Sequence, residues 1–474
     1  MTARDDVLVI GAGPAGVMAA LRAGDLGART TLLTTGPFGG MAANDGPVPV
    51  RTLAQAARLM REARQLGRYG VEVGAPVLDY PRLLVRVDEV IEEVGRNVLL
   101  RRQVEAAGVA VVTDAGPARF IDAHTVEAGG ARFAAEKIIL CVGGVGRRLS
   151  VPGGELAATH SDAWSLTRVP SSMLVIGSGA TGAQVTSVFN AFGTRVDLFE
   201  AGERILRTEE PEVSACVAAA FRASGVSVHE SFGQIEAFEA APGGVRMIYG
   251  RDGERKSAEA ELVVLAVGWT AATEDLNLEA AGVTIDARGF ITVDDQQRTS
   301  APHIFAAGDV TGRRMLTPEA MQAGLVAATN AVTGTGERTD PASSPVGSFT
   351  DPEYAQVGLG EAQARQDHDV EVVVVDFAEN TRAVIDGRTT GFCKLIVDRA
   401  TQAVLGCHIV GERAVEVTQL AAVAIGAGVR VGELARRPFS FPTYAGILAR
   451  AAAVAAHRLD RGRASFPLGP ADLL

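Results

Sequence analysis

The sequence predicts an α/β fold that contains two Rossmann-like units. The segments Val7–Thr34 and Met173–Glu200 align without a gap, and each reads as an apolar strand, a GxGxxG turn, a helix and a second apolar strand. A third segment, Thr299–Gly312, is a predicted strand that ends in Gly-Asp. The chain has 474 residues, which is enough for about two to four domains.

The composition is that of a globular protein. Hydrophobic residues make up 47% of the chain and charged residues 21%. The net charge of −11 and the lack of a lysine- or arginine-rich tract argue against a nucleic-acid partner. The first strand begins within a few residues of Met1, which leaves no room for a signal peptide, and no apolar run is long enough to span a membrane. We therefore expect a cytoplasmic protein without membrane insertion.

The two turns carry glycines in matching positions. In a dinucleotide-binding unit the first glycine makes the tight turn, the second lets a pyrophosphate approach the backbone, and the third lets helix and strand pack closely. The phosphate then lies at the helix N-terminus, where free N–H groups and the helix dipole favour an anion. Two such turns predict two dinucleotide sites, with these glycines at Gly11, Gly13 and Gly16 and at Gly177, Gly179 and Gly182.

The two units differ at the end of their second strand. Glu200 closes the second unit; a carboxylate there accepts hydrogen bonds from ribose hydroxyls and repels a 2′-phosphate, so we expect NAD rather than NADP. Thr34 has the same position in the first unit, where it can donate one hydrogen bond but carries no charge, which weakens that site. Asp309, at the end of the later strand, either binds a polyol hydroxyl or forms an ordinary turn.

Further motifs extend through almost the whole chain. With the two turns and the later Gly-Asp strand, they give a sequence that resembles the pyridine nucleotide–disulfide oxidoreductase family of flavoproteins. The motifs are Leu140–Gly153, Leu265–Val283 and Leu316–Gly324, followed in the C-terminal third by Phe349–Ala364, Glu379–Ala383, Gly391–Asp398 and Leu405–Leu420.

The resemblance implies two cofactors, a domain order and a homodimer. FAD would bind the first unit through Gly11–Gly16, Gly143 and Asp309, and NAD(H) would bind the second. The implied domains are an FAD-binding domain in two parts (residues 1–150 and 271–340), an NAD-binding domain (151–270) and an α+β dimerisation domain (341–474). Further cofactor contacts are expected at Pro14, Ala15, Thr34, Gly40, Met41, Arg51, Ala118, Gln184, Gly268, Leu316 and Thr317.

The chain departs from the family pattern where the family has its redox disulfide. The loop "GGMAANDGPVPVRTL" places Ala42 and Pro47 at the two cysteine positions of CxxxxC, and the C-terminal HPT…Glu motif has Phe441 and Gly446 in place of its histidine and glutamate. A phenyl ring cannot shuttle a proton. The loop would then persist because its backbone binds the cofactor, and we expect no disulfide reductase activity. The four cysteines form no CxxC or CxxxxC pair, and no histidine falls in a metal-ligand pattern, so we expect no metal.

Two further positions leave alternatives open. The family's lysine–glutamate pair near the flavin corresponds to Arg51 and Gln184; Arg51 either stabilises negative charge on the reduced flavin or is a solvated arginine at a helix start. Trp269 replaces an arginine of the family, and it either packs on the nicotinamide nucleotide or fills an apolar gap.

These observations predict an FAD-dependent NAD(P)H oxidoreductase that passes electrons directly to a small apolar acceptor, with a quinone as first choice. The acceptor pocket would be lined by Met41, Ala42, Pro47 and, in trans, Phe441 and Tyr444 of the partner subunit. Tyr444 would assist as a proton donor or only pack, and both aromatics would otherwise fill the dimer interface. The alternatives are a flavin-dependent dehydrogenase or reductase of a specialised metabolite, a pyridine nucleotide transhydrogenase, and a non-catalytic nucleotide-binding flavoprotein.

Overall fold

A computed structural model describes residues 4–98, 100–339 and 343–460. Residues 1–3 and 461–474, at the outer ends of the first and last predicted domains, lie outside the described residues. The described residues form sheets of seven, five, three, two and five strands with helices packed against them, which confirms the predicted α/β class. The domain boundaries near residues 150, 270 and 340 stay predictions.

The first sheet is built around the first repeat. Its strand Asp5–Ile10 is buried from Val7 onward, as expected for a parallel strand covered on both faces. The helices Pro14–Asp25 and Thr317–Thr333 pack against each other beside this sheet. The parallel strands are Ala110–Val112, Thr30–Leu33, Asp5–Ile10, Ala131–Leu140 and Ile304–Ala306; the antiparallel strands Thr125–Ala128 and Arg119–Asp122 extend the sheet from the start of Ala131–Leu140.

The second sheet repeats this arrangement around the second unit. It is wholly parallel, and the helices Ala180–Phe192 and Pro211–Ala223 belong to it. Its strands, in spatial order, are Ser227–Glu230, Arg195–Glu200, Ser172–Ile176, Leu262–Leu265 and Ala158–Thr159. An antiparallel sheet follows, with strands Gln234–Ala241, Gly244–Arg251 and Glu254–Ala260. A two-stranded ribbon, Gly144–Gly146 paired with Trp269–Ala271, lies where the chain passes between the two units.

The C-terminal part is an antiparallel sheet with helices, in agreement with the predicted α+β type. Its strands, in spatial order, are Val346–Ser348, Tyr354–Gly358, Val404–Val410, Phe392–Asp398 and Val370–Asp376. The helices Ala414–Gly426 and Gly446–Asp460 share a hydrophobic core with this sheet. The remaining α-helices are Gly40–Asn44, Pro47–Ala63, Tyr80–Asn97, Arg101–Ala106, His160–Trp164, Glu361–Asp367, Thr381–Ile385 and Val431–Ala435, and the 3₁₀ helices are Leu66–Tyr69, Gly154–Leu156, Leu278–Ala281, Asp309–Thr311 and Phe377–Glu379.

The helix Pro47–Ala63 connects the two units, because it packs against the helix Ala180–Phe192 of the second one. Arg61 Nη1 donates to Ser187 O at 3.3 Å, and Arg64 Nη2 donates to Ala191 O at 3.0 Å. The helix therefore holds the start of its own loop in a fixed relation to the second nucleotide unit. Over the described part of the chain, no helix is long and apolar enough to cross a membrane.

Candidate functional site

The two GxGxxG turns have the same backbone geometry. Gly11 has φ +104° and Gly177 φ +92°, and a Cβ added to either would overlap a backbone carbonyl, that of Cys141 or that of Ala266. Pro14 is the first residue of the helix that follows the first turn, and Gly13 is its N-cap. Helix N-termini with close backbone approach fit a pyrophosphate. Gly11 and Gly177 thus make the tight turns, while the binding of a dinucleotide at either turn stays a prediction.

The cysteine-free loop lies directly on the first turn. Gly39 N donates to Ala12 O at 2.8 Å, and a Cβ added at Gly40, which has φ +56°, would lie 2.8 Å from Gly13 Cα. A side chain at position 40 would therefore fill the cradle of the first turn. This contact explains why the double glycine of the loop persists when the cysteines do not: the loop and the turn form one surface.

Other predicted cofactor residues surround the same turn. A Cβ on Gly308 would lie 3.1 Å from Ala15 Cβ, so Asp309 follows a segment packed on the first helix. Burial raises the pKa of Asp309, and no hydrogen bond is described for its carboxylate within residues 4–98, 100–339 and 343–460. A partly buried carboxylate without a described partner fits a polyol ligand. Leu316 is the N-cap of the helix that begins at Thr317.

Three predicted residues have less obvious roles. The side chain of Ala118 lies in the hydrophobic core. Gly143 and Gly268 both have positive φ, and their carbonyls accept from Ala272 N at 3.2 Å and Arg147 N at 2.9 Å, so they flank the ribbon between the units. Their positions as cofactor contacts stay predictions.

Thr34 does not offer its hydroxyl proton to a ligand. Its Oγ1 donates to Gly36 O at 3.0 Å, and the residue is buried. The predicted hydrogen bond from Thr34 to a ribose would require this internal bond to break. The hydroxyl oxygen can still accept, since a hydroxyl has two lone pairs.

Glu200 lies on the wall of a cavity of about 460 Å³ lined by the second turn. Its carboxylate accepts from Ser178 Oγ at 2.6 Å, Ser178 N at 3.2 Å and Gly202 N at 2.7 Å. A carboxylate has about four acceptor positions, so about one remains for a ribose hydroxyl. The sequence interpretation gave both ribose hydroxyls to Glu200 and missed Ser178, whose hydroxyl oxygen is placed beside the carboxylate. The serine within the GSG turn was the available signal.

Arg51 and Gln184 meet across the boundary between the units. Arg51 Nη1 donates to Gln184 Oε1, and the guanidinium carbon lies 3.3 Å from the centre of the Phe349 ring, a cation–π contact. Burial lowers the pKa of Arg51 to about 10, against the pull of Glu353 and Tyr354. The residue is half-buried, so it is not the solvated helix-start arginine that the sequence left open.

The guanidinium of Arg51 has no ion-pair partner among the described residues, whereas others on its helix do. Arg58 pairs with Glu412 at 2.7 Å, and Arg61 pairs with Asp351 at 2.7 Å. Arg51 stays protonated at neutral pH because its pKa remains well above 7. The junction therefore holds a positive charge next to the loop that has no carboxylate within ion-pair distance among the described residues, although Glu353 acts on it from further away.

Phe441 and Tyr444 lie in the C-terminal segment with different environments. Phe441 is 70% exposed. Tyr444 is half-buried, its Oη donates to Asp386 Oδ2 at 2.8 Å, and its ring lies 6.2 Å from that of Phe377. Burial and the bond to Asp386 raise the pKa of Tyr444. Its proton is thus committed within the chain, which weakens the predicted role as a proton donor. Sequence reasoning did not identify Asp386.

Trp269 packs on a histidine. Its ring lies edge-on to His160, with centroids 4.7 Å apart and an interplanar angle of 62°. His160 is buried, and burial lowers its pKa. Trp269 therefore packs on an aromatic neighbour in this chain and is itself half-buried.

No cysteine lies in the loop itself. Cys141, Cys216, Cys393 and Cys407 are free thiols, and burial raises the pKa of Cys141 to about 12. The described ranges contain no group of three or more His, Cys, Asp or Glu side chains arranged to hold a metal. The candidate site therefore has three parts: the glycine turns that fit a dinucleotide, the contact between Arg51 and Gln184, and the loop that has no cysteines.

The chain is similar to known flavoproteins over nearly its full length. Residues 5–324 match the family described as pyridine nucleotide-disulphide oxidoreductase, and residues 344–452 match its dimerisation domain. The chain is 31% identical over 436 residues to a mercuric reductase of Lysinibacillus sphaericus, which covers 90% of this chain and 78% of that protein. It is 32% identical over 461 residues to a dihydrolipoyl dehydrogenase of Geobacillus stearothermophilus, which covers 95% and 96%.

A solved structure shows the same fold. The HOCl-induced flavoprotein disulfide reductase RclA from Escherichia coli superimposes with a TM-score of 0.82 at 24% identity, over 95% of this chain and 99% of that chain. This likeness supports the arrangement of two Rossmann-like units and a C-terminal α+β part.

Proposed function

We propose that this protein passes electrons from NADH through FAD directly to an apolar, quinone-like acceptor. The chain belongs to the pyridine nucleotide-disulphide oxidoreductase family. Membership of the family makes the protein an FAD-dependent oxidoreductase of pyridine nucleotides. The identity of the acceptor and the absence of a disulfide step are the proposal. The match to the dimerisation domain supports a homodimer.

The residues of the first unit fit FAD. The turn at Gly11–Gly16, with Gly40 packed against it, would offer its backbone to the pyrophosphate, and Asp309 would offer a partly buried carboxylate that has no partner among the described residues to the polyol chain. Bound FAD would supply two-electron transfer between the nicotinamide and a second substrate. The second turn, with Glu200 and Ser178, would hold the adenosine end of NADH.

One observation carries the proposal: the loop keeps its contact with the first turn although it has lost its thiols. Gly40 remains against Gly13, while Ala42 and Pro47 stand where the family pattern has its redox cysteines. Neither side chain can be oxidised. Met41 and Ala42 are half-buried and Pro47 is exposed, so the loop presents an apolar face. Such a face suits a flat, weakly polar acceptor.

Arg51 supplies the charge that this reaction needs. Reduction adds negative charge to the cofactor and the acceptor, and a fixed cation in a partly buried site stabilises it more than water does. Gln184 orients the guanidinium without neutralising it. An arginine cannot give up its proton at neutral pH, so Arg51 acts through charge and not as an acid.

The acceptor site would be shared between subunits. Phe441, which is 70% exposed in a single chain, would cover the apolar face of the partner subunit's loop. The hydrogen bond to Asp386 would hold Tyr444 in place as part of the pocket wall.

A non-catalytic flavoprotein is the alternative that has an observation in its favour, because the Thr34 hydroxyl donates its proton to Gly36 O within the chain. Rapid loss of flavin absorbance on addition of NADH would exclude it.

The test is steady-state turnover of the FAD-reconstituted protein with NADH. We expect 1,4-naphthoquinone to be reduced and lipoamide and glutathione disulfide to be left unreacted at equal concentrations. A protein that takes up no FAD, or one that reduces the disulfides as fast as the quinone, would refute the proposal.

A further inference from the structure

The side chain of Asp45 makes a hydrogen bond to Ser161, which lies in a distant part of the sequence. It lies in the loop between Ala42 and Pro47, and its Oδ2 accepts from Ser161 Oγ at 2.5 Å. This length is typical of an O–H···O⁻ bond, which is roughly twice as strong as a bond between neutral groups. Ser161 belongs to the short helix His160–Trp164, which follows the edge strand Ala158–Thr159 of the second sheet.

Apart from the bond of Gly39 N to Ala12 O, the other hydrogen bonds described for the loop are local. Met41 O accepts from Asp45 N at 2.9 Å and from Gly46 N at 2.7 Å. Asn44 Nδ2 donates to Gly40 O at 2.8 Å and to Phe38 O at 3.2 Å. In the described part of the chain, Asp45 is thus the loop residue whose side chain ties the tip of the loop to a different element.

Ser161 lies on a capped helix, and its Oγ is also 3.4 Å from His160 Nε2. The N-terminus of this helix has a capping box, in which Asp162 Oδ2 accepts from Thr159 N at 2.7 Å and from Thr159 Oγ1 at 3.0 Å. The neighbouring His160 is 4% exposed and wedged against Trp269 of the ribbon. The titratable groups that face Asp45 are therefore His160 and, behind it, Asp162 with its partner Arg148.

The loop needs such an anchor. Its helix Gly40–Asn44 has five residues, too few to be stable on its own. In the family pattern a disulfide between positions 42 and 47 restricts this segment covalently, and a cross-link of that kind removes open conformations. Ala42 and Pro47 provide no cross-link.

We propose that Asp45 and Ser161 are positioning residues of the acceptor site, whose hydrogen bond takes over the restraint that the missing disulfide provides in the family pattern. The bond holds Met41, Ala42 and Pro47 in one arrangement beside the acceptor. The inference rests on the proposed function for the identity of that site, but the restraint itself does not depend on any acceptor.

Hydrogen exchange of the FAD-loaded protein tests the restraint without turnover. In Asp45→Ala and in Ser161→Ala we expect the amides of residues 40–46 to exchange about tenfold faster, the fold-change that corresponds to losing a charged hydrogen bond. Asp45→Asn keeps an acceptor oxygen for Ser161 and should restore part of the protection. Ser257→Ala, at an exposed position of the strand Glu254–Ala260, is the control serine variant and should leave the loop unchanged.

Kinetics tests the positioning role. Both alanine variants should raise KM for 1,4-naphthoquinone about tenfold, with kcat and the rate of flavin bleaching by NADH within about twofold of wild type. The double variant should be no worse than either single one, because both remove the same bond. Unchanged exchange in the loop, additive effects, or an equal loss in the NADH half-reaction would overturn the inference. Wild-type enzyme that shows no quinone reaction would refute the proposed function instead, and the exchange result would still decide the restraint.

Discussion

Arg51 donates a hydrogen bond to Gln184 across the junction of the two nucleotide units, and the bond joins a cation to a neutral amide. The helix Pro47–Ala63 brings Arg51 from the loop, and the helix Ala180–Phe192 brings Gln184 from the second turn. Phe349 stacks beneath the guanidinium. The Arg51–Gln184 pair consequently carries one positive charge, where a lysine–glutamate pair would carry none.

Replacing Gln184 by glutamate should make the bound flavin harder to reduce. The added carboxylate compensates Arg51, so negative charge gained on reduction is less stabilised. We expect the midpoint potential to fall by about 30 mV, which is tenfold in equilibrium for a two-electron couple. Arg51→Met should also lower the midpoint potential, and Arg51→Lys should lower it less. Arg64→Met, on the same helix, is the control and should leave the potential nearly unchanged. Potentiometric titration with reference dyes measures the midpoint potential of the bound flavin. Equal potentials in Gln184→Glu and wild type would refute the role of the unpaired charge of Arg51.

NADH should reduce the flavin much faster than NADPH. The 2′-phosphate would meet the Glu200 carboxylate, and losing a charged hydrogen bond while adding like-charge repulsion costs about 2–4 kcal/mol. Glu200→Ala should narrow the preference, and Ser178→Ala should narrow it less because the carboxylate remains. Flavin bleaching followed by stopped flow with each coenzyme gives the ratio. Similar rates with both coenzymes in wild type would show that Glu200 does not discriminate between a ribose 2′-hydroxyl and a 2′-phosphate.

Turnover should not depend on thiols. Cys141, Cys393 and Cys407 are buried and Cys216 is half-buried, and none replaces Ala42 or Pro47 in the loop. Treatment with iodoacetamide should leave quinone reduction largely intact, and NADH should reduce the flavin without a long-wavelength band from a thiolate–flavin complex. The appearance of that band, or loss of activity in step with thiol labelling, would contradict this expectation.

Phe441→Ala should affect only the acceptor side. Its exposed ring would act in trans, so acceptor turnover or affinity should change severalfold, while the rate of flavin bleaching by NADH stays near that of wild type. Separate stopped-flow measurements of the two half-reactions distinguish these effects. A fully active monomer, or a variant slowed only in its reaction with NADH, would exclude the shared site; aromatics that merely fill the interface would change dimer stability and neither half-reaction.

Stability should fall as the pH rises toward 7. Burial raises the pKa of Glu353 to about 7 and that of Glu209 to about 7, whereas an unfolded glutamate has a pKa of about 4.3. Between these values the folded protein binds more protons than the unfolded chain, so the stabilising contribution is complete below the unfolded pKa and is lost as the pH passes the folded one. Glu353→Gln should flatten the change in Tm between about pH 4.5 and 7. An unchanged slope in that variant would show that Glu353 is ionised in the folded protein.

The fold could be predicted from sequence because its signals are local. Each GxGxxG turn is fixed by backbone contacts, such as that of Gly11 with Cys141, that only glycine allows. The loss of the disulfide was also visible, since it depends on the identity of Ala42 and Pro47 alone. These features need no knowledge of the surrounding packing.

The finer chemistry of the site could not be predicted, because it depends on contacts between distant segments. The bond of Tyr444 to Asp386 spans two loops of the C-terminal part, and it removes a proton that the sequence left free. The same holds for Ser178 beside Glu200 and for Asp45 beside Ser161. Hydroxyl and carboxylate partners are chosen by tertiary structure, and no periodicity in the sequence encodes them.

Single-turnover reoxidation of the NADH-reduced enzyme tests the proposed electron path most directly. The reduced protein is mixed without oxygen against increasing 1,4-naphthoquinone and, separately, against lipoamide. We predict that the quinone restores the flavin absorbance at a rate that saturates with concentration, as binding in a pocket requires, and that lipoamide has no effect. Reoxidation by lipoamide, or a quinone rate that rises linearly without saturation, would contradict a dedicated acceptor site without disulfide chemistry.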